Sequence, residues 1–168
     1  VDTLDSWSEV CDAIIVYDDA SDDHGATAAL CRDHQNVIEV IESNHLWEDR
    51  LNAEWYNRQL LLNAARRFDS EWIAYFDGDE HLFCFDKTML DDQSVHVIAT
   101  TWHDMYITPE DESLNDAEYQ RRRWCSAEYR QIPFFYRNDP VLSFTLPDQR
   151  IMGHRRLPHY PTNGLIQH

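Results

Sequence analysis

The chain has 168 residues, 43% of them hydrophobic, and its 31 acidic side chains give a formal net charge of −17. This length and apolar content fit a single folded domain over 1–168 and exclude a disordered chain. A surface this acidic repels nucleic acid and anionic membranes, so we expect no nucleic-acid partner. We expect no membrane segment, because no apolar run is long enough to span a bilayer. Four widely spaced cysteines without a signal peptide indicate reduced thiols and a cytoplasmic location.

The first part of the chain alternates predicted helices and strands. Residues 3–9 predict a short helix, and the apolar run 13–17 predicts a buried strand that ends in an acidic loop. A second helix is predicted over 25–34, and the alternating pattern over 37–41 predicts a second strand. The intervals between these elements are short, as they are in folds built from strand–helix–strand units.

The clearest helix is predicted over 49–68, where large apolar side chains recur at helical spacing and Asp49 can cap the first turn. A third buried strand, 72–76, follows this helix directly. Strands that alternate with helices in this way are typical of parallel sheets. We therefore predict an α/β fold, a three-layer sandwich with a mostly parallel central sheet flanked by helices.

The second part of the chain is less regular. A strand is predicted over 95–102, and the polar stretch 108–131 predicts a loop and a helix. Short strands are predicted at 134–136 and 141–144 on either side of a turn, and a last short strand at 164–168.

The third buried strand ends abruptly in the acidic turn Asp77-Gly78-Asp79-Glu80. Buried charge is costly unless it is paired or binds a metal, and open α/β sheets bind ligands at the carboxyl ends of their strands. Carboxylates two residues apart can both reach one Mg²⁺ or Mn²⁺. The pattern favours a cation site for an anionic substrate; the alternative is a surface turn that caps a following helix.

A second acidic loop, containing Asp18, Asp19, Ser21 and Asp22, follows the strand predicted at 13–17. If both strands are parallel neighbours, both loops open onto the same edge of the sheet. Carboxylates at this position can accept hydrogen bonds from a nucleobase or from ribose hydroxyls. The alternative is a helix N-terminus with Ser21 or Asp22 as the capping residue.

The two acidic loops and the long helix between them resemble the family 2 glycosyltransferases, which have a GT-A nucleotide-sugar-binding fold. The resemblance rests on residues 14–23 and on 72–82, which is similar to the D-x-D-E variant of the DxD motif of that family. It continues more weakly through 135–140 and 164–168. The first strand of the family is expected to be missing before Val1, and elements beyond His168 are absent or unseen.

The resemblance implies transfer of a sugar from a nucleotide-diphosphate donor, a UDP-, GDP- or dTDP-sugar, to a glycan or another hydroxyl acceptor, with inversion. On the donor side, it implies that Asp18 or Asp19 contacts the base and ribose, and that Arg50 touches the base. Asp77 is expected to face the ribose or a metal-bound water.

The resemblance also implies a divalent cation, Mn²⁺ or Mg²⁺, that bridges the donor diphosphate. Its expected ligands are Asp79, with Asp77 beside it, and His168, which matches a histidine that often completes the metal shell. The expected general base is Asp148, and the acids at 110–112 are competing candidates.

Two other functions remain open from the sequence. A sugar nucleotidyltransferase shares the α/β architecture and the metal requirement, but it usually has a glycine-rich basic loop, whereas this chain has four glycines and one lysine. An acidic cation-binding or interaction domain, a degenerate transferase, would bind cations without any dependence on nucleotide.

Overall fold

The computed structural model describes residues 2–43, 50–106, 109, 125, 130–144 and 159–167. Within these residues the helices are α1 (Asp2–Ser8), α2 (Ala26–Asp33), α3 (Arg50–Ala65) and α4 (Thr88–Asp91). The strands are β1 (Ile14–Asp18), β2 (Val37–Glu42), β3 (Trp72–Ala74), β4 (His81–Phe83), β5 (Val97–His103), β6 (Arg130–Arg137) and β7 (His159–Gln167).

The described strands form two sheets. β1 and β2 are a parallel pair, and the other strands form a five-stranded sheet in the order β3-β6-β5-β7-β4. In this larger sheet β5 and β7 are parallel, whereas the β3–β6, β5–β6 and β4–β7 pairs are antiparallel. The prediction of an α/β fold is confirmed in this broad form, with helices and strands mixed along the chain.

The pairing within the larger sheet is mixed, and not mostly parallel as predicted. That prediction came from strand–helix alternation in the first half of the chain, yet β4 to β7 supply four of the five strands of this sheet. The six residues between β3 and β4 are too few for a parallel crossover, which needs about a dozen or more. β4 accordingly lies at the far edge of the sheet, paired antiparallel to β7.

The helices and strands predicted in the first half are confirmed, with shifts of a few residues at their ends. β4 and α4 were not predicted, and the segment 141–144 contains no named strand. Leu142 and Phe144 are nevertheless buried there and belong to the same core cluster as Leu62. The last strand is longer than predicted, and most of 108–131 lies outside the described residues.

The main hydrophobic core joins α1 to both sheets. Trp7 of α1 is fully buried, stacks on Phe76 with ring centroids 4.2 Å apart, and lies near Phe134 and Phe135 of β6. Ile14 of β1 belongs to the same cluster. This packing fixes α1 beneath the turn that follows β3. A second cluster packs Leu62 of α3 against side chains of β3, β5 and β6, including Ile73, Val97 and Tyr136.

An open groove of about 1250 Å³ runs between the two sheets. Residues along β1 and β3 line it. Among the described strands β1 pairs only with β2 and β3 only with β6, so the groove lies along the other edge of each strand. Leu30, Ile38 and Phe68 also line the groove and remain more than 40% exposed. A large apolar surface that stays exposed in this way is typical of a binding groove.

Glu71 gives the fold a specific dependence on acid. Its carboxylate accepts hydrogen bonds from Gln93 at 3.1 Å and from Arg137, and these bonds, the first of them foremost, hold its pKa below the ordinary value. A carboxyl group of this kind stabilises the fold above its unfolded pKa of about 4.3, and the contribution is lost as pH falls through the folded pKa. We expect Glu71→Gln to show a shallower loss of stability below about pH 4.3 than the wild type in urea unfolding. An equally steep loss in both proteins would contradict this role.

Candidate functional site

The acidic turn between β3 and β4 is closed by its own hydrogen bonds. Glu80 is fully buried, and its carboxylate Oε2 accepts the backbone N–H of Asp77 at 2.8 Å. In return the backbone N–H of Glu80 donates to the carbonyl of Asp77 at 3.1 Å. The residues after the turn form β4, so the turn does not cap a helix. The hydrogen bonds between Glu80 and Asp77 therefore fix the conformation of the turn.

Helix α1 supports the same turn from below. The Thr3 hydroxyl donates to the carbonyl of Gly78 at 2.8 Å, and the indole N–H of Trp7 donates to the carbonyl of Glu80 at 2.8 Å. A Cβ atom on Gly78 would meet no atom within 4 Å, so the turn has open space on that side. Two carbonyls of the turn are thus satisfied from within the protein, as buried backbone groups require.

Helix α3 reaches the turn through Tyr75. The Tyr75 hydroxyl donates to Asp77 Oδ1 at 3.0 Å, and Arg58 Nε donates to the Tyr75 hydroxyl oxygen at 3.3 Å. Burial, reinforced by the charge of Asp77, raises the pKa of Tyr75 well above its ordinary value. The hydroxyl therefore keeps its proton at neutral pH and remains a hydrogen-bond donor to the carboxylate.

The acidic loop after β1 is held by Asp18, which is 8% exposed. Its Oδ1 accepts the backbone N–H of Ser21 at 3.1 Å and also the Ser21 hydroxyl. The first turn of α2 is bound instead by Asp23, which accepts the Thr27 hydroxyl and, at 2.8 Å, the Thr27 N–H. These bonds lower the pKa of Asp23. The side chain that binds the start of α2 is thus that of Asp23, and not that of Ser21 or Asp22 as the capping alternative predicted.

The two acidic loops border the same groove. Asp18 and Asp19 line it from the first loop, and Asp77 and Asp79 line it from the second. In the part of the chain that the structure describes, no three His, Cys, Asp or Glu side chains are grouped closely enough to hold a metal ion. Two carboxylates still suit Mg²⁺ or Mn²⁺, because a cation of this type keeps several waters and takes other oxygens from substrate phosphates.

Several predicted site residues lie outside the described part of the structure. His168, Asp148 and the acids at 110–112 lie outside the described residues. Arg50 is the first residue of α3, and its side chain also lies outside the described part. Their predicted roles therefore stay predictions.

The sequence interpretation missed the contribution of α3. Arg58 falls on the apolar stripe of this helix, at helical spacing between Trp55 and Leu62, yet it lines the groove. Asn57 beside it is buried, and its side-chain oxygen has no hydrogen-bond partner among the described residues. The sequence did contain a signal for this contribution: polar side chains on the predicted buried face of the helix. Such groups need a hydrogen-bond partner or a ligand when they are buried.

Comparison of the chain with models of protein families, with curated proteins and with solved structures finds no match. None of the described helices is long and apolar enough to cross a membrane.

Proposed function

We propose that this protein is a metal-dependent glycosyltransferase that moves a sugar from a nucleotide-diphosphate donor to a hydroxyl acceptor, with inversion. The observation that carries the proposal is that two acidic loops line one groove. Each loop directly follows a strand, β1 or β3 with its short extension, and five aspartates from the two loops line the groove. Ligands of open α/β sheets bind at such strand ends.

The size and character of the groove suit a nucleotide-sugar. Its volume of about 1250 Å³ slightly exceeds the roughly 300–1,000 Å³ of common small-molecule pockets. Apolar walls can pack against a base or sugar ring, while Asp18 and Asp19 can accept hydrogen bonds from a base and a ribose. Arg50 is proposed to touch the base, as the resemblance implies.

Charge favours a metal-dependent reaction. A protein with a net charge of −17 repels a diphosphate unless a cation reverses the local potential. Asp77 and Asp79 would hold Mn²⁺ or Mg²⁺, with His168 as the proposed third ligand. When bound, the cation offsets the negative charge that develops on the leaving diphosphate. Asp148 is proposed to take the proton of the acceptor hydroxyl.

We propose a GT-A-like arrangement of the sheets. Among the described strands β1 pairs only with β2 and β3 only with β6, and residues of β1 and β3 line one groove. A strand placed in that groove would join the parallel pair to the five-stranded sheet. The product would be one larger sheet with both acidic loops along it.

Calorimetric titration with UDP, GDP and dTDP, each with and without Mn²⁺, tests the proposal. We expect one nucleotide to bind at least about tenfold more tightly when Mn²⁺ is present, which corresponds to about 1.4 kcal/mol. Absence of binding in a folded protein would contradict the transferase. Cation binding without nucleotide dependence would favour an interaction domain, and pyrophosphate release from a nucleoside triphosphate would favour a nucleotidyltransferase.

A further inference from the structure

A continuous series of hydrogen bonds runs from α3 to the acidic turn. Arg58 Nη2 donates to Glu54 Oε2 at 3.1 Å, and Arg58 Nε donates to the Tyr75 hydroxyl oxygen at 3.3 Å. The Tyr75 hydroxyl in turn donates to Asp77 Oδ1 at 3.0 Å. Three side chains thus link one turn of α3 to a carboxylate on the groove.

The direction of each bond in this series is fixed by chemistry. A guanidinium group has only donors, so the Tyr75 oxygen must accept from Arg58. A phenol has a single proton, and that proton is therefore directed to Asp77. Without Arg58 the hydroxyl could rotate or donate to water, and the carboxylate would lose a fixed partner.

Packing holds the members of the series in place. Arg58 is 9% exposed, and its guanidinium carbon lies 5.7 Å from the centre of the Tyr75 ring. The Tyr75 ring also meets the edge of Phe144, with ring centroids 5.5 Å apart. Below the carboxylate, Glu80 binds the backbone N–H of Asp77. Asp77 is therefore held by hydrogen bonds at both its backbone N–H and its side-chain carboxylate.

We propose that Arg58 and Tyr75 are positioning residues that orient the Asp77 carboxylate toward the cation of the metal–nucleotide complex. This inference rests on the proposed function, because it assigns the series to the same groove. Partners of metal-binding carboxylates are hydrogen-bonded in this way in many sites, and their loss typically lowers metal affinity by about 10- to 100-fold.

The test is Mn²⁺ affinity, measured by calorimetry on the full chain with and without the nucleotide that the wild type binds. We expect Tyr75→Phe to weaken Mn²⁺ binding by about 10- to 100-fold, to leave metal-free nucleotide binding nearly unchanged, and to lower thermal stability only as far as the loss of one buried hydroxyl does in a control tyrosine. Arg58→Lys keeps the positive charge but loses the forked donor, and we expect a loss in the same direction. A merely structural role would lower stability and both kinds of binding together.

Tyr136→Phe is the matched control. Tyr136 is also buried, its hydroxyl donates to the carbonyl of Pro133 at 3.2 Å, and it is not among the described residues that line the groove. We expect this variant to bind Mn²⁺ as the wild type does. Equal Mn²⁺ affinity in the wild type and in both Tyr75→Phe and Arg58→Lys would overturn the positioning role alone. A wild type that binds no Mn²⁺ would overturn the proposed metal site as well.

Discussion

Replacement of Asp79 by alanine is expected to abolish metal-dependent nucleotide binding while leaving the fold intact. Asp79 is an exposed residue of the turn that lines the groove, so its truncation leaves no buried cavity. A carboxylate that holds a divalent cation cannot be replaced by a methyl group, because hard cations require oxygen ligands. We expect the affinity for the nucleotide in the presence of Mn²⁺ to fall by at least about 100-fold, or about 2.8 kcal/mol.

Calorimetry with Mn²⁺ and the preferred nucleotide measures this loss, and urea unfolding checks the fold. Asp33→Ala is the matched control, since it removes the same charge from an exposed position at the end of α2, outside the groove. The control separates loss of a ligand from a general change in the acidic field. Full nucleotide affinity in Asp79→Ala would remove Asp79 from the metal site.

The position of each acidic loop at the end of a strand could be predicted from the sequence because the signal is local. Each loop follows a short apolar run, and such runs bounded by turn residues indicate buried strands. The end of a strand is a known position for ligands, so two such loops predict one shared edge. Among the described residues, however, β1 and β3 lie in different sheets, so the two loops do not share a sheet edge. Asp18 and Asp77 instead both line the groove between the two sheets.

The pairing of the strands could not be predicted in the same way. β3 pairs with β6, more than fifty residues further along the chain. No local sequence pattern predicts which strand pairs with β3. Short strands with apolar residues are compatible with several neighbours and both directions, because side-chain alternation fixes only which face is buried. The mixed sheet follows from long-range pairing of this kind.

The hydrogen bonds from α1 to the acidic turn could not be predicted from the sequence for the same reason. Thr3 and Trp7 lie more than seventy residues before Gly78 and Glu80, to which they donate hydrogen bonds. From the sequence, α1 is a short helix of unknown contacts. Its role becomes visible only when packing places its buried tryptophan under the residues that end β3.

Replacement of Trp7 by alanine is expected to cause a large loss of stability. Trp7 is fully buried, stacks on Phe76 with nearly parallel rings, and donates to the Glu80 carbonyl at 2.8 Å. Truncation of a buried tryptophan typically costs about 3–5 kcal/mol, through lost burial and the cavity that remains. Since whole domains are stable by only about 5–15 kcal/mol, we expect a substantial fall in the midpoint of urea unfolding.

Two further variants assign the cause of this loss. Trp7→Phe keeps an aromatic ring against Phe76 but removes the N–H donor, so we expect a smaller loss of about 1–3 kcal/mol from the unsatisfied Glu80 carbonyl. Trp55→Ala removes a tryptophan that is 36% exposed on α3, and it should cost less than Trp7→Ala. Equal losses for Trp7→Ala and Trp55→Ala would mean that α1 is not part of the core. The expected order would instead show that the helix before β1 stabilises the turn on which the proposed site depends.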